Sequence, residues 1–467
     1  MDVFVPPFPA RPARPLSPVR LLLRARSNFL AIWTEKSFEY QLMSIRVLAR
    51  RIWICNSPDT VRQAFINAHG SFERKSPQMR GALRPLLGDG LFISDGELWK
   101  QRRRAVTPIV HVGRMPLFAP IFVEAALEAE ARWAGAQEID ALGEMARMTA
   151  EVICRSLFGR TLGHARARQI VDGFSAYQRH VGQIDLFSLL GLPAWTPRIR
   201  GPLLARAAGR VKATINEILD AHLAERGRAE ETMVDRLLKA VDDEGRPLSR
   251  DAVRNEVATL FMAGHETTAN TLAWAWYLLS QSPESERRLH EELDRVLGGR
   301  PPSLADLPDL PYTRAVIEET LRLYPPVPLL AREAVRDEVL RGRRVTAGSL
   351  VIVVPWLLHR HKRYWQAPDA FTPERFLPGA PAPDKAVYLP FSLGPRVCAG
   401  LAFGLTEAIL CLATLARRFE LRLADGAKVE PVCRLTLRPR GGLPMTVRER
   451  ATPMSAPALA AARELQS

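Results

Sequence analysis

The sequence lacks clustered cysteines. Its five cysteines, an odd number, are widely spaced and include no CxxC pair; they are Cys55, Cys154, Cys398, Cys411 and Cys433. Disulfide-rich secreted domains and zinc knuckles both need cysteines close together. The pattern therefore argues against a disulfide framework and a zinc site, and we expect a reducing compartment, the cytoplasm.

Long apolar runs are also missing. Stretches such as LVIVVPWLL, residues 350–358, fall short of the roughly 20 apolar residues that span a bilayer. The N-terminal sequence MDVFVPPFPARPARP has no uninterrupted apolar core of the kind found in secretory signals, and is typical of a proline-stiffened arm. We expect neither secretion nor a transmembrane anchor.

Acidic residues are too few to balance the basic ones. The chain has 65 lysines and arginines against 50 aspartates and glutamates, a net charge of +15, which favours acidic partners. Nucleic acid is not expected as a partner, since the basic residues are dispersed and no recognised binding motif accompanies them. Contact of Arg20, Arg24 and Arg26 with a membrane surface stays open, although an ordinary amphipathic first helix explains this segment better.

What the chain does contain is helical periodicity. From about Gly96 onward, apolar residues recur at spacings of three and four. Ser249 precedes some thirty residues without proline, apolar nearly all round, which predicts a long helix buried as the spine of the molecule. Residues 46–58 predict a β-hairpin. We predict an arm and first helix over 1–44, one large, mainly helical domain with a minor β region over 45–448, and a disordered tail over 449–467.

One cysteine has an unusual setting. In FSLGPRVCAG, residues 391–400, Gly394 and Pro395 predict a tight bend and an apolar helix follows Cys398. Amide groups and the positive dipole at a helix start favour a thiolate, which is a nucleophile or a metal ligand. The alternative is a small buried apolar residue, the usual role of a free cysteine, and this reading stands for the other four.

The long helix carries a second candidate, FMAGHETTAN. Ala263 and Thr267 are four residues apart and share a face, Gly264 removes bulk, and Glu266 places a carboxylate beside the hydroxyl. The alternative is a threonine that bonds to a carbonyl one turn earlier, with Glu266 in a solvated patch. From the residues alone both readings remain open.

These segments resemble the cytochrome P450 family. The pattern F-x-x-G-x-R-x-C-x-G of its haem-binding loop and A-G-x-[DE]-T-[TS] of its oxygen-activation motif are both matched, in the expected order. The resemblance covers roughly residues 45–448. The loop pattern is filled by Phe391, Gly394, Arg396, Cys398 and Gly400.

The resemblance implies roles for these residues. Cys398 is expected to be the axial iron ligand of haem b, whose electron-rich thiolate favours cleavage of the O–O bond in this family. Thr267 is expected to hold dioxygen and Glu266 to relay protons, next to Ala263 and Gly264 at the haem. His265, between the matched positions, is expected to point away from iron.

Further motifs of the family are present. Glu319 and Arg322 fill its E-x-x-R spacing and, with Arg375 of FTPERF, imply a buried structural network behind the haem loop. Trp99 and Arg103 are expected to contact one haem propionate and Arg332 the other, while Arg396 neutralises propionate charge. Lys100, Arg102 and Arg104 are expected on the adjoining surface, where an acidic electron donor would dock.

The function implied is that of a soluble, bacterial-type haem-thiolate monooxygenase. It is expected to be a monomer that hydroxylates or epoxidises a lipophilic molecule, such as a fatty acid, terpenoid or steroid-like compound, with O2. Because the chain stops after its haem domain, electrons are expected from a separate ferredoxin or flavodoxin with its reductase, and ultimately from NAD(P)H.

The substrate pocket is predicted only by resemblance. Its expected walls include a loop over residues 79–92 and the region 174–195, although core packing accounts for many of the same apolar side chains. Two rival functions remain: an enzyme that uses peroxide or rearranges oxygenated lipids, and a haem sensor or carrier. The predicted pocket residues are Phe92, Phe261, Ala263, Val327, Leu329 and Leu435.

Overall fold

Helices dominate the computed structural model. It describes residues 3–159, 169, 171–173, 176–177, 201–224, 231–242, 244–433 and 435–450. The helices of this part are α1 (Pro18–Ser27), α2 (Pro58–Arg62), α3 (Pro77–Leu87), α4 (Gly96–Val106), α5 (Met115–Trp133), α6 (Ala141–Phe158), α7 (Gly201–Ala224), α8 (Met233–Lys239), α9 (Arg250–Ser280), α10 (Pro283–Leu297), α11 (Pro311–Leu323), α12 (Pro355–Leu358) and α13 (Leu401–Ala416).

The strands are short and form small sheets. They are β1 (Leu42–Val47), β2 (Arg50–Cys55), β3 (Arg74–Lys75), β4 (Glu138–Asp140), β5 (Leu330–Glu333), β6 (Glu338–Leu340), β7 (Arg343–Val345), β8 (Leu350–Val353), β9 (Phe419–Leu423), β10 (Pro431–Cys433), β11 (Leu437–Pro439) and β12 (Pro444–Glu449). The mainly helical fold with a minor β region is thus confirmed.

Helix α9 is the predicted spine. Ser249 accepts a hydrogen bond from the amide of Ala252 at 3.2 Å and so caps the helix start. At 31 residues the helix is about 46 Å long. Most of its side chains are buried, and its main partners include α6 and α11. The prediction of a long buried helix is confirmed.

The largest sheet has the strand order β1-β2-β8-β5-β3. Strands β1 and β2 form the predicted hairpin, with Val47 opposite Arg50 at its closed end. Strand β8 pairs parallel to β2, with Ile52 opposite Leu350, and antiparallel to β5. At the edge, Lys75 of β3 pairs with Arg332 of β5, which places two basic residues side by side.

One local prediction is wrong. Residues 79–92 do not form a loop throughout, because α3 extends to Leu87 and is capped by Ser76, which accepts from the amide of Met79 at 3.3 Å. Helix α10 begins at Pro283 and Glu284, and the preceding Ser282 makes no side-chain capping hydrogen bond.

No helix in the described part of the chain is both long and apolar enough to cross a bilayer. The predicted domain boundaries stay predictions, and residues 451–467 of the expected tail lie outside the described residues.

Candidate active site

The loop before α13 presents Cys398. The amide of Cys398 donates to the carbonyl of Phe391 at 2.8 Å, and the amide of Val397 donates to the carbonyl of Gly394 at 2.9 Å. Gly394 has a φ of +75°, and a Cβ there would lie 2.1 Å from the carbonyl oxygen of Phe65. Only glycine fits this turn, which therefore fixes where the thiol points.

The thiol of Cys398 differs from the other four in its surroundings. Cys55, Cys154, Cys411 and Cys433 are buried, whereas Cys398 has exposed surface. Protein atoms nevertheless surround it, and burial raises its pKa. Both observations fit a sulfur atom that faces a space inside the molecule.

The predicted thiolate is not favoured by the loop alone. Helix α13 begins at Leu401, three residues beyond Cys398. The amide of Gly400 and the charges of Arg103 and Lys75 lower the pKa of Cys398, but burial outweighs them and the pKa is raised. The start of α13 therefore lowers the pKa of Cys398 less than the sequence pattern predicts. Without a metal the group is a thiol, and coordination to a metal ion would deprotonate it.

On α9, the face that carries the second motif is open. Ala263 is exposed and Gly264 and Thr267 are half-buried, although most of this helix is buried. A Cβ on Gly264 would lie 3.0 Å from the side chain of Ile153, so the missing side chain also lets α6 pack closely. Thr268 donates to Glu407 of α13 at 3.0 Å. This hydrogen bond joins α9 to the helix that follows the loop of Cys398.

The hydroxyl of Thr267 donates to the carbonyl of Ala263 at 2.7 Å, the back-bonding arrangement expected of a helical threonine. Its lone pairs remain available to accept a hydrogen bond. The alternative that placed Glu266 in a solvated patch is wrong, since this residue is buried and accepts a hydrogen bond from Thr436. Sequence reasoning missed Thr436, which lies in the turn between β10 and β11, and no local signal identifies it.

His265 lies away from this open face. It is buried, its ring stacks on that of Phe261 at 5.6 Å, and burial lowers its pKa to about 4. Phe261, predicted for the pocket, is only 1% exposed. Its ring packs closely against its neighbours, and its place in the substrate pocket stays a prediction.

Buried cations gather near Cys398. Arg332 and Arg396 are 3% and 8% exposed. Burial and the charge of Arg396 lower the pKa of Arg332 to about 9, and burial lowers the pKa of Arg396 to about 10. The pKa of Lys75 is lowered well below its usual value by burial and by both arginines. The cluster, which we call the cation cluster (Lys75, Arg332, Arg396), carries more positive charge than its surroundings neutralise.

The acid that touches this cluster is already shared. Asp95 accepts from Arg396 at 3.2 Å, from Arg80 at 3.1 Å and from the backbone amide of Lys75 at 2.9 Å. Lys75 was missed in the sequence, because its position depends on the pairing of β3 with β5. One carboxylate does not neutralise three cations and Arg80, so binding of further anions would be favourable here.

Helix α4 is fastened to the cysteine loop. The guanidinium of Arg396 lies 4.4 Å from the ring centre of Trp99, and Arg103 donates to the carbonyl of Val397 at 2.7 Å. Lys100 and Arg104 are exposed, as expected of a docking surface. Arg102 is not: it is 6% exposed and lies 3.5 Å from Glu256 of α9. Its assignment to the surface is corrected, because helical periodicity turns it inward.

Glu319 and Arg322 form a fully buried pair. Arg322 donates to both oxygens of Glu319 at 2.6 and 2.8 Å. Its remaining donors reach the carbonyls of His359, Pro368 and Ala370 at 2.6 to 2.8 Å. We call this group, with Arg375, the carboxylate–guanidinium network.

Arg375 completes this network from the segment before the cysteine loop. Its guanidinium lies 3.5 Å from Glu319 and donates to the carbonyl of Ala367 at 3.0 Å. The amide of Thr372 also donates to Glu319 at 2.8 Å. The structure therefore brings Glu319, Arg322 and Arg375 together.

The other predicted pocket residues lie in several places. Leu329 and Leu435 line an apolar cavity between α1, α3 and the largest sheet. Val327 and Phe92 are half-buried, and the ammonium of Lys75 lies 4.6 Å from the ring centre of Phe92. Most of the predicted pocket region 174–195 lies outside the described residues.

Comparisons with known proteins give this arrangement a family. The family model described as Cytochrome P450 matches residues 12–443. The chain belongs to the cytochrome P450 family. It is 36% identical over 406 residues to cyclooctatin synthase of Streptomyces melanosporofaciens, which covers 85% of this chain and 86% of that protein.

Two further cytochrome P450 relatives are similar. Cyclooctat-9-en-7-ol 5-monooxygenase of the same organism is 32% identical over 402 residues, covering 82% of this chain and 83% of that protein. The crystal structure of the cytochrome P450DA heme domain superposes with a TM-score of 0.80 at 24% identity, covering 96% of this chain and 99% of the other, and shows the fold. The chain is an oxidoreductase of the monooxygenase class, and membership of the family implies a haem cofactor.

The residues of this cytochrome P450 fit haem. Ala263 and Thr267 have open surface on a helix that is otherwise mostly buried, and Cys398 has open surface on the loop before α13. The cation cluster has an excess of positive charge that two propionate carboxylates would neutralise. A thiol for iron and buried cations for propionates thus lie close together, as the charges felt by Cys398 and Lys75 indicate.

Proposed function

We propose that this protein hydroxylates or epoxidises a terpenoid, with Cys398 as the iron ligand of its haem. The observation that carries the proposal is the open thiol of Cys398 beside buried, under-neutralised cations. Terpenoids are favoured over fatty acids or steroid-like compounds because, by their names, one relative from Streptomyces melanosporofaciens forms cyclooctatin and the other oxidises cyclooctat-9-en-7-ol. The apolar cavity beside Leu329 and Leu435 suits such a molecule.

The cofactor's place follows from the side chains. Cys398 Sγ would hold the iron, and Arg103, Arg332 and Arg396 would bind the propionates, with Trp99 packed against Arg396. When bound, thiolate-ligated haem supplies reductive activation of O2, inserting one oxygen atom into the substrate while the other leaves as water. The chain's own contribution is to bind, orient and supply protons.

Proton supply would depend on Glu266 and Thr267. The carboxylate of Glu266 is buried and accepts a hydrogen bond from Thr436, which would hold it in one orientation. Thr267 Oγ1 donates to the Ala263 carbonyl, and its lone pairs would accept a hydrogen bond from a proton donor. Two protons and two electrons per turnover balance the reaction; both protons would come from solvent and be relayed one after the other through Glu266, and the electrons would come from a redox partner.

The electron donor is proposed to be a ferredoxin or flavodoxin with its reductase, fed by NAD(P)H. Lys100 and Arg104 are exposed on α4 and adjoin Trp99 and Arg103, which contact the cysteine loop. A basic patch steers an acidic donor toward its docking site. We also propose that the protein acts as a cytoplasmic monomer.

Oxygen consumption tests this function. With a surrogate ferredoxin, its reductase and NADPH, a terpenoid that shifts the haem absorption should stimulate O2 uptake and yield a product one oxygen atom heavier. Thr267→Ala should keep NADPH consumption but divert it to hydrogen peroxide, while Thr271→Ala, one turn along the same helix, serves as the control. Absence of stimulated uptake with bound substrate would favour a haem sensor; product formed only with added peroxide would favour the peroxide-using rival.

A further inference from the structure

The apolar cavity contains polar groups that are unpaired. Its walls come from α1, the turn Phe29–Ile32, α3 and the largest sheet, and include Leu22, Phe29, Ile52, Leu329 and Leu435. Three of its lining residues, Trp33, Ser76 and Gln78, carry a hydrogen-bonding group in the side chain. The oxygen of Ser76 is used in capping α3.

Gln78 and Trp33 have no hydrogen-bond partner among the described residues. Both side-chain atoms of Gln78, Oε1 and Nε2, are shielded from solvent and unpaired, and so is Nε1 of Trp33. Shielding an amide without a partner is unfavourable, so most such groups in proteins are paired. Two of them on the wall of one apolar cavity point to a ligand that supplies the missing partners.

We propose that this cavity binds an apolar molecule that carries one hydroxyl group, with the Gln78 amide as its hydrogen-bond partner and Trp33 as a second donor. A hydroxyl donates once and accepts twice, which matches the acceptor of Gln78 and the donors of Gln78 and Trp33. A hydrocarbon of the same shape leaves these groups unpaired, and a site built this way discriminates against it.

This inference rests on the proposed function and narrows its substrate class. The cavity extends from α1 to Leu329 and Leu435, two of the residues predicted to line the substrate pocket. The hydroxyl would be bound at Gln78 while another part of the molecule reaches the reacting centre. The substrate would therefore be a terpenoid alcohol, and an earlier oxidation or hydration must have installed its hydroxyl group.

Binding to the haem-loaded full chain tests the inference. The probes are farnesol, farnesyl methyl ether and farnesene, with affinities from the haem absorption shift and from calorimetry. Wild type should bind farnesol about tenfold more tightly than farnesene, the value of one net hydrogen bond of this kind. Gln78→Leu should bring this ratio near one by weakening farnesol binding. The ether, which accepts but does not donate, should fall between the two.

The matched control is Met79→Leu, an apolar change at the next residue, also on the cavity wall. It should leave the ratio of affinities unchanged. Gln78→Leu should also leave the unfolding midpoint of the ligand-free protein unchanged or raise it, since an unpaired amide is removed.

Three results would overturn the inference: equal binding of the three probes to wild type, no binding of any, or a preference that survives in Gln78→Leu. A lowered unfolding midpoint in Gln78→Leu would assign the amide a structural role and overturn it too. A protein that lacks the spectrum of thiolate-ligated haem would instead refute the proposed function, so the two failures are distinguishable.

Discussion

Two clusters of charged residues, the carboxylate–guanidinium network and the cation cluster, differ in how they are neutralised. In the carboxylate–guanidinium network, Arg322 faces Glu319 and three backbone carbonyls, so its charge and donors are satisfied within the chain. In the cation cluster, burial and the charges of Arg332 and Arg396 lower the pKa of Lys75, and burial and the charge of Arg396 lower that of Arg332. Asp95 is the acid that contacts this cluster, at Arg396 and at the amide of Lys75.

The difference separates structure from binding. A satisfied buried pair needs nothing further and holds segments together, whereas buried cations without enough anions are unfavourable until an anionic ligand arrives. The first cluster should therefore matter most for folding of the chain, and the second for retention of the cofactor.

Breaking the network should have the largest effect on stability. Arg322→Leu removes both hydrogen bonds that Arg322 donates to the buried carboxylate of Glu319 and leaves it with Arg375, at 3.5 Å, and the amide of Thr372. Breaking a buried pair in this way costs about 3–5 kcal/mol of unfolding free energy. Denaturant titration measures this loss. Arg314→Ala on the same helix, where an exposed arginine pairs with Glu318 at 3.4 Å, is the control and should cost less than about 1 kcal/mol. Equal losses of unfolding free energy in the two variants would show that the buried pair stabilises the fold no more than the exposed pair does.

Removing a cation should have opposite effects with and without cofactor. Arg332→Met removes a buried charge, so the unfolding free energy of the haem-free protein should stay unchanged or rise. The same variant should retain haem about tenfold to a hundredfold less tightly, since a charge-assisted hydrogen bond is lost. Haem transfer to apomyoglobin and denaturant titration measure the two effects, with exposed Arg343→Met as the control.

A haem-free Arg332→Met protein that loses several kcal/mol would mean that the chain itself neutralises this arginine, and the contrast between the two clusters would fail.

Glu256 is an intermediate case with a pH signature. Burial raises its pKa to about 7, opposed by the amide of Leu91 and the charge of Arg102. The folded chain thus binds this proton more tightly than the unfolded chain, so its contribution to stability is full below about pH 4.5 and is lost as the pH rises to about 7, by up to about 3 kcal/mol.

Glu256→Gln removes this titration. Relative to wild type, its unfolding free energy should therefore increase between pH 4.5 and 7, as measured by denaturant titrations at several pH values. Parallel curves for the two proteins would show that Glu256 does not titrate in this range.

The smallest effect is expected at Thr436. Thr436→Val removes the hydrogen bond that orients Glu266, so the yield of product per NADPH should fall about threefold, less than the hundredfold or more expected when a positioned acid is removed. Thr436→Ser should restore the yield, because it keeps the hydroxyl. If valine and serine behave alike, the hydrogen bond does not position the acid.

The sequence predicts features that are encoded locally. The glycine turn before Cys398, the uninterrupted apolar helix around Thr267 and the three-residue spacing of Glu319 and Arg322 each depend on neighbouring residues, and the structure shows them at the expected places. These short patterns also carried the resemblance to cytochrome P450 proteins.

Features that depend on tertiary pairing were missed. Lys75 joins the cation cluster through the register of β3 with β5, and Thr436 reaches Glu266 across 170 residues. Arg102 was placed on the surface because its basic neighbours are exposed, yet it turns toward Glu256. The pKa of Cys398 was misjudged because burial is not visible in a local pattern.

The central claim is that Cys398 binds iron, and the absorption spectrum of the reduced, carbon monoxide-treated protein tests it most directly. The account predicts the red-shifted Soret band of thiolate-ligated haem in wild type and in Cys411→Ala, a cysteine farther along α13, and its loss in Cys398→Ser. A wild-type spectrum without that band, or a Cys398→Ser spectrum that retains it, would contradict the account.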